Sequence, residues 1–321
     1  MSTEGGTKAV LAALLANAGI AVTKFAAWAL TGASSMLAEA IHSVADSANQ
    51  LLLLFGGKRS TRSADDSHPF GYGRLRYLYA FIVSIVLFTL GGVFALYEAW
   101  HKAQEVRAGE PNQLLDSRWW WVPLAVLGAA IVMESLSLRT AVRESNPSRG
   151  AQSWTQFVRR SKSPELPVVL LEDTGALIGL VFAMAGVSLT LITENGYFDA
   201  AGTAMIGFLL VVIAVVLAVE MSSLLVGEGA TPEKVATITA AVSGAPGVER
   251  VIHLKTLYLG PDELLITAKI GITGGGSAQA LADVIDGAEQ RIRDALVTSA
   301  TIYLEPDVYT PDYTPHKPAT P

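Results

Sequence analysis

In a chain with no cysteine, metal chemistry must rest on imidazole and carboxylate groups, and both occur inside otherwise apolar stretches. Glu39, His42 and Asp46 fall within residues 35–56, and Glu172 and Asp173 stand side by side within 167–193. His42 and Asp46 are four residues apart, so a helix sets them on one face, where an imidazole and a carboxylate can meet the same ion. Glu172 and Asp173 diverge by about 100° on a helix, so both can border one cavity while only one faces a given partner. Ionisable groups cost roughly 3 kcal/mol or more in hydrocarbon and mark functional candidates by default. A histidine with two or three carboxylates from two helices forms a nitrogen and oxygen donor set suited to zinc, and also to manganese or iron(II). Imidazole binds metal only when unprotonated, so such a site can trade a metal ion for protons. An isolated His-x-x-x-Asp pair is more often a structural hydrogen bond, but the apolar surroundings and the further carboxylates reverse that reading here.

The elements that must carry these residues follow from composition. The chain has 321 residues, 51% hydrophobic and 16% charged, with mean hydropathy +0.40. Soluble domains carry about 25% charged residues, so an ordinary soluble protein is excluded. The net charge of 23 − 29 = −6 leaves no basic surface for nucleic acid. A disulfide framework, a thiolate zinc site and an iron–sulfur cluster are excluded with cysteine, and no nucleophile, base and orienting group suggest an enzyme.

Six windows reach the roughly 20 apolar residues needed to span a bilayer, at about 8–30, 35–56, 77–100, 119–140, 167–193 and 198–226. The first is too long for the apolar core of a cleaved signal. Lys58, Arg59, Arg62, Arg74 and Arg76 follow the second span, and Arg143, Arg149, Arg159, Arg160 and Lys162 follow the fourth. The alternate loops are poorer in basic residues, which predicts both termini on the cytoplasmic side. Lys24 is expected to snorkel outward, Glu134 and Glu220 to lie toward cytoplasmic helix ends, Asn49 to bond between helices, and Asp199 to cap the sixth span.

Beyond the last span the texture changes. Thr231-Pro232-Glu233 reads as a helix start, runs 248–259 and 263–273 as strands joined at Gly260-Pro261-Asp262, 277–297 as a helix and 299–304 as a strand. The fold class is therefore an α-helical membrane protein with six transmembrane helices, followed by a small cytoplasmic α/β ferredoxin-like (αββαβ) domain. Its divisions are 1–227 for the six-span membrane part, 228–306 for the small domain and 307–321 for a disordered tail. Residues 227–321 hold 12 acidic and 7 basic side chains, so they supply −5 of the −6 and leave the membrane part nearly balanced.

The string Ser34-Ser35-Met36-Leu37-Ala38-Glu39-Ala40-Ile41-His42-Ser43-Val44-Ala45-Asp46-Ser47-Ala48-Asn49-Gln50, followed by His68-Pro69-Phe70-Gly71-Tyr72-Gly73-Arg74, resembles the second span and loop of the cation diffusion facilitator transporters. The resemblance extends over about residues 8–306. It implies a homodimeric, proton-coupled exporter of divalent metal working by alternating access in the cell membrane. Zinc is the first expectation and Mn²⁺, Fe²⁺ or Co²⁺ the others, with no permanently bound cofactor. It also implies a transport site of His42, Asp46 and Asp173. The family's usual fourth ligand would stand four residues before Asp173, where this chain has Val169. Either three protein ligands act with water or Glu172 replaces the missing one. We favour Glu172, since Leu170-Leu171-Glu172-Asp173-Thr174 resembles the zinc-transporter-like subgroup. A loop metal site would use Asp65 and His68, but Tyr72 stands where a second histidine would be, so a folding or gating role is expected there. In the C-terminal region His253 matches a ligand position and Glu305 replaces another carboxylate, while Lys269 and Tyr303 stand where histidines would be. A dimerisation element is therefore preferred over a metal sensor. The competing reading from another class is a non-transporting membrane scaffold or metal sensor acting through that domain.

Overall fold

The computed structural model describes residues 18–273 and 277–309. Helix α1 runs over Ala18–Thr31 and α2 over Ser34–Ser60. Helix α3 covers Leu75–Arg107 and contains a π-helical stretch at Leu87–Val93. The short α4 (Gln113–Asp116) precedes α5 (Val122–Arg149), α6 (Trp154–Arg160), α7 (Glu165–Thr193) and α8 (Tyr197–Val226). Among the described residues α3, α5, α7 and α8 are long and apolar enough to cross a membrane, and the chain is a multi-pass membrane protein. The 27 residues of α2 are less apolar because Glu39, His42, Asp46, Lys58 and Arg59 interrupt them. The expected first span begins at residue 8, and residues 1–17 lie outside the described residues. Helix α3 outlasts its expected span, because a helix needs apolar side chains only within the hydrocarbon and can continue into water.

The chain divides into two compact units. One holds the described residues up to Lys58 together with Arg76–Ser222. Small residues set its closest approach: a Cβ on Gly186 of α7 would stand 2.9 Å from the Phe198 carbonyl oxygen, and one on Gly202 of α8 would stand 2.8 Å from that of Phe182. Only glycine lets the two backbones meet this closely. At the start of α2, Asp199 of α8 accepts hydrogen bonds from the Ser34 N–H at 2.7 Å and the Ser34 hydroxyl at 2.9 Å, and from the Ser35 hydroxyl. The sequence expectation that Asp199 caps its own helix is corrected: it neutralises the orphan donors of a different helix, the one that carries His42 and Asp46. Ala141, Phe157 and Leu170 bury the junction of α5, α6 and α7.

The other unit holds Arg59–Leu75 and the described residues from Ser223 onward. Its elements are α9 (Pro232–Ser243), β1 (Val248–Gly260), β2 (Glu263–Ile272), α10 (Ala278–Ala295) and β3 (Ser299–Asp307), the order expected from the sequence. Thr231 and Ser277 cap the two helices through their hydroxyls. The sheet order is β1-β2-β3, with β1 antiparallel and β3 parallel to β2. Leu264, Ile266, Ala268 and Ile270 alternate into a core with Ile238, Val242, Tyr258, Ile292 and Ile302, the period of two that puts one strand face inside. A Cβ on Gly73 would stand 2.7 Å from the Leu259 carbonyl oxygen, so the loop 59–75 lies directly on the β1–β2 hairpin. Strand β3 continues through Pro306 and Asp307, past the expected strand end at Leu304 and one residue into the stretch read as tail, and residues 310–321 lie outside the described residues.

Candidate metal centre

A cavity of about 240 Å³ opens between α1, α2, α5 and α7, and His42, Asp46, Glu172 and Asp173 all line it. Spacing places them. His42 and Asp46 repeat at one helical turn, and Asn49 follows on the same face. His42 Nε2 stands 3.5 Å from Asp46 Oδ2. The imidazole is 1% exposed, yet neither ring nitrogen has a hydrogen-bond partner, and Asp46 Oδ1 has none either. Buried polar atoms are ordinarily hydrogen-bonded, so a buried imidazole that borders a cavity with only the long Asp46 contact is open to a ligand. In α3, the π-helical stretch brings Gly91 to this histidine: a Cβ there would stand 3.7 Å from His42 Nδ1.

On α7 both carboxylates border the cavity, and each is anchored by a neighbouring helix. Asn49 of α2 donates to Glu172 Oε1 at 2.6 Å, and Ser137 of α5 donates to Asp173 Oδ2 at 2.9 Å. Each bond fixes one oxygen and leaves the second available. Val169, at the position of the absent ligand, also lines the cavity and offers no donor. Among the described residues no three His, Asp or Glu side chains already form a metal-holding group. The candidates surround a common space and must converge by side-chain motion to bind.

Two residues of this cavity escape the sequence reading. Glu134 of α5 lines it without a hydrogen bond, although its place toward a helix end suggested interfacial packing. The available signal was its three-residue spacing from Ser137, which puts the two on one face. Lys24 of α1 also lines the cavity, and the expectation that it snorkels outward is corrected. It is 4% exposed and pairs with Glu39 at 2.9 Å. By contrast Glu220 meets Arg159 at 3.9 Å, as a residue near a helix end should.

The two other candidate sites are filled by the chain itself. In the loop, Asp65 accepts from the Tyr72 hydroxyl at 2.7 Å, the His68 N–H at 2.9 Å and Arg62 at 3.1 Å. The Tyr72 bond foremost holds the Asp65 carboxyl below the usual aspartate range and raises the phenol. His68 packs against the Tyr72 ring at 4.3 Å. In the sheet, His253, Lys269 and Glu305 occupy one row across β1, β2 and β3. The Lys269 ammonium bonds Asp307 at 2.8 Å and Glu305 at 3.1 Å. These bonds, Asp307 first, raise the lysine above its ordinary value. A tethered ammonium stands among the carboxylates there.

Sequence comparison adds an independent line. The profile of a family described as the cation efflux transmembrane domain matches residues 10–226. The chain is 32% identical over 273 residues to the mouse protein named proton-coupled zinc antiporter SLC30A9, mitochondrial, covering 84% of this chain and 47% of that one. It is 26% identical over 276 residues to metal tolerance protein C4 of Arabidopsis thaliana, covering 85% of this chain and 59% of that one. It is 27% identical over 206 residues to magnetosome protein MamB of a Magnetospira strain, covering 58% and 66%. The chain spans about half the length of the mouse relative.

Proposed function

The chain belongs to the cation efflux family, a family of transporters and not enzymes, and on that premise we propose that it is a proton-coupled antiporter carrying divalent metal, zinc foremost, out of the cytoplasm. The observation that carries this reading is the cavity that His42, Asp46, Glu172 and Asp173 line together, with a buried imidazole whose nitrogens have no hydrogen-bond partner. The mouse relative's name, with its zinc and proton coupling, supports the same assignment.

In this reading the metal is the substrate. His42 supplies nitrogen from α2, Asp46 an oxygen from the same helix face, and Asp173 and Glu172 the oxygens from α7. Asn49 and Ser137 orient the two α7 carboxylates. Metal binding requires the imidazole to be unprotonated, and each turn of the cycle reloads the emptied site with protons from the far side. Opposite openings of the cavity would alternate as α2 and α7 rock against the remaining helices. The proposed frame is six spans with both termini cytoplasmic in the cell membrane, a ferredoxin-like C-terminal domain and a homodimer. Uptake of Zn²⁺ by proteoliposomes that hold an acidic lumen tests it. Uptake that collapses when the proton gradient is dissipated is expected, and binding without metal-dependent proton flux would favour the scaffold or sensor reading.

A further inference from the structure

Among the described residues lining the cavity, Lys24 is the one lysine or arginine, and on elementary grounds it does not belong there. Its charge repels a divalent cation from a space whose carboxylates attract one. A buried ion pair is also weak evidence of stability, since apolar side chains of similar volume stabilise as well or better. Yet the side chain is 5% exposed and firmly held. Its ammonium donates to Glu39 Oε2 at 2.9 Å, to the Ser43 hydroxyl at 2.8 Å and to the Glu39 carbonyl oxygen at 3.5 Å. Glu39 is fully buried and does not line the cavity. Lys24 and Ser43 thus belong to the cavity wall and Glu39 lies behind it, with the ammonium held between Ser43 and Glu39. Ser43 adjoins His42, which sets this charge against the helical turn leading to Asp46.

We propose that Lys24 is a built-in limiter of metal affinity: a fixed positive charge in the cavity wall, anchored by Glu39 and Ser43, that keeps the divalent ion bound loosely enough to leave in each cycle. The inference rests on the reading of this cavity as the ion's site. Passage through a membrane requires binding favourable enough to enter and weak enough to exit. Four carboxylates and an imidazole in the wall of one cavity lean toward retention of a divalent ion, and a lysine in the same wall offsets them without blocking access. A role in packing alone would leave metal affinity unchanged or lower it when Lys24 is lost, whereas a limiter raises it.

The test is Zn²⁺ binding by calorimetry to the purified full chain, paired with initial transport rates in proteoliposomes. Lys24→Gln is expected to bind Zn²⁺ about tenfold more tightly and to turn over more slowly. Lys24→Arg, which keeps the charge, is expected to bind as the unaltered protein does. Glu39→Gln frees the ammonium to turn on Asp46 and weakens binding. In Lys24→Gln/Glu39→Gln that weakening reverses, and the double variant binds more tightly than the unaltered protein. This variant leaves no unpaired buried charge, so it carries the test where Lys24→Gln alone fails to fold. Binding by a folded Lys24→Gln no tighter than the unaltered protein's, or a double variant no tighter, overturns the proposal. Zn²⁺ binding indifferent to Asp173→Ala would instead overturn the placement of the ion, whatever Lys24 does.

Discussion

The membrane cavity and the C-terminal sheet each gather acidic groups near a histidine, and they resolve the charge in opposite ways. In the sheet, Lys269 lies between His253 and Glu305 in register and bonds Glu305 and Asp307, so the chain supplies its own cation. In the cavity, Asp46, Glu134, Glu172 and Asp173 share the wall with one lysine, and that lysine is turned to Glu39. The difference teaches where the proposed metal site has room for an ion. Carboxylates bonded to a tethered ammonium have their counter-charge already, whereas those of the cavity border an open space beside an imidazole without a hydrogen bond.

The comparison breaks most readily at its strongest point. Asp46→Asn and Asp173→Asn are each expected to lower Zn²⁺ transport by roughly 100-fold or more in proteoliposomes, with membrane insertion intact, since each removes an anionic ligand. Transport near the unaltered rate would remove the cavity from the account. Next in size, Glu172→Gln is expected to cost about tenfold in Zn²⁺ affinity by calorimetry. The amide still accepts from Asn49, so the change reports the lost anionic oxygen and not lost packing. An unchanged affinity would assign Glu172 to orientation alone and leave three protein ligands.

On the other side of the comparison, Lys269→His replaces the tethered cation with a second imidazole beside His253 and Glu305. Thermal unfolding of the full chain is then expected to shift upward with added Zn²⁺ by a few degrees more than the unaltered full chain does. The same shift in both would mean that the lysine is not what keeps metal from this row. The smallest effect is a pH response. Asp307 is held below its ordinary value of 3.8 by Lys269, so its contribution is present above 3.8 and is lost as pH falls through its lower folded-state value. Lys269 is raised above its ordinary 10.5, so its contribution is whole below 10.5 and is lost only as pH rises through the higher folded-state value. Hydrogen exchange across β2 and β3 should therefore show loosening in acid that Lys269→Met lacks, and identical acid profiles would contradict the pairing.

Much of this was legible in residue types and spacing. The i, i+4 relation of His42 and Asp46 and the neighbouring Glu172 and Asp173 pointed to one site, because helical periodicity turns spacing into direction. Strand β2 was readable as a β-like run set off by Gly260-Pro261-Asp262, and Tyr72 in place of a histidine already argued for a folded loop. What stayed hidden was tertiary. Lys24 had no partner in sequence, and only the packing of α1 on α2 brings Glu39 and Ser43 to its ammonium. Glu134 looked interfacial because its depth was judged from the end of an apolar run, while α5 packs so that its face turns inward. Asp199 satisfied the local rule for a cap, but its carboxylate reaches α2, 165 residues away in sequence from Ser34. The π-helical stretch at Leu87–Val93 had no signature beyond a pair of glycines.

The account's central claim is that a divalent ion binds inside the cavity through His42 nitrogen and carboxylate oxygens. X-ray absorption at the zinc edge on the Zn²⁺-loaded full chain tests this most directly. The account predicts a mixed nitrogen and oxygen shell with one imidazole, whose imidazole signal disappears in His42→Ala. An all-oxygen shell, or a mixed shell that His42→Ala leaves unchanged, would contradict it.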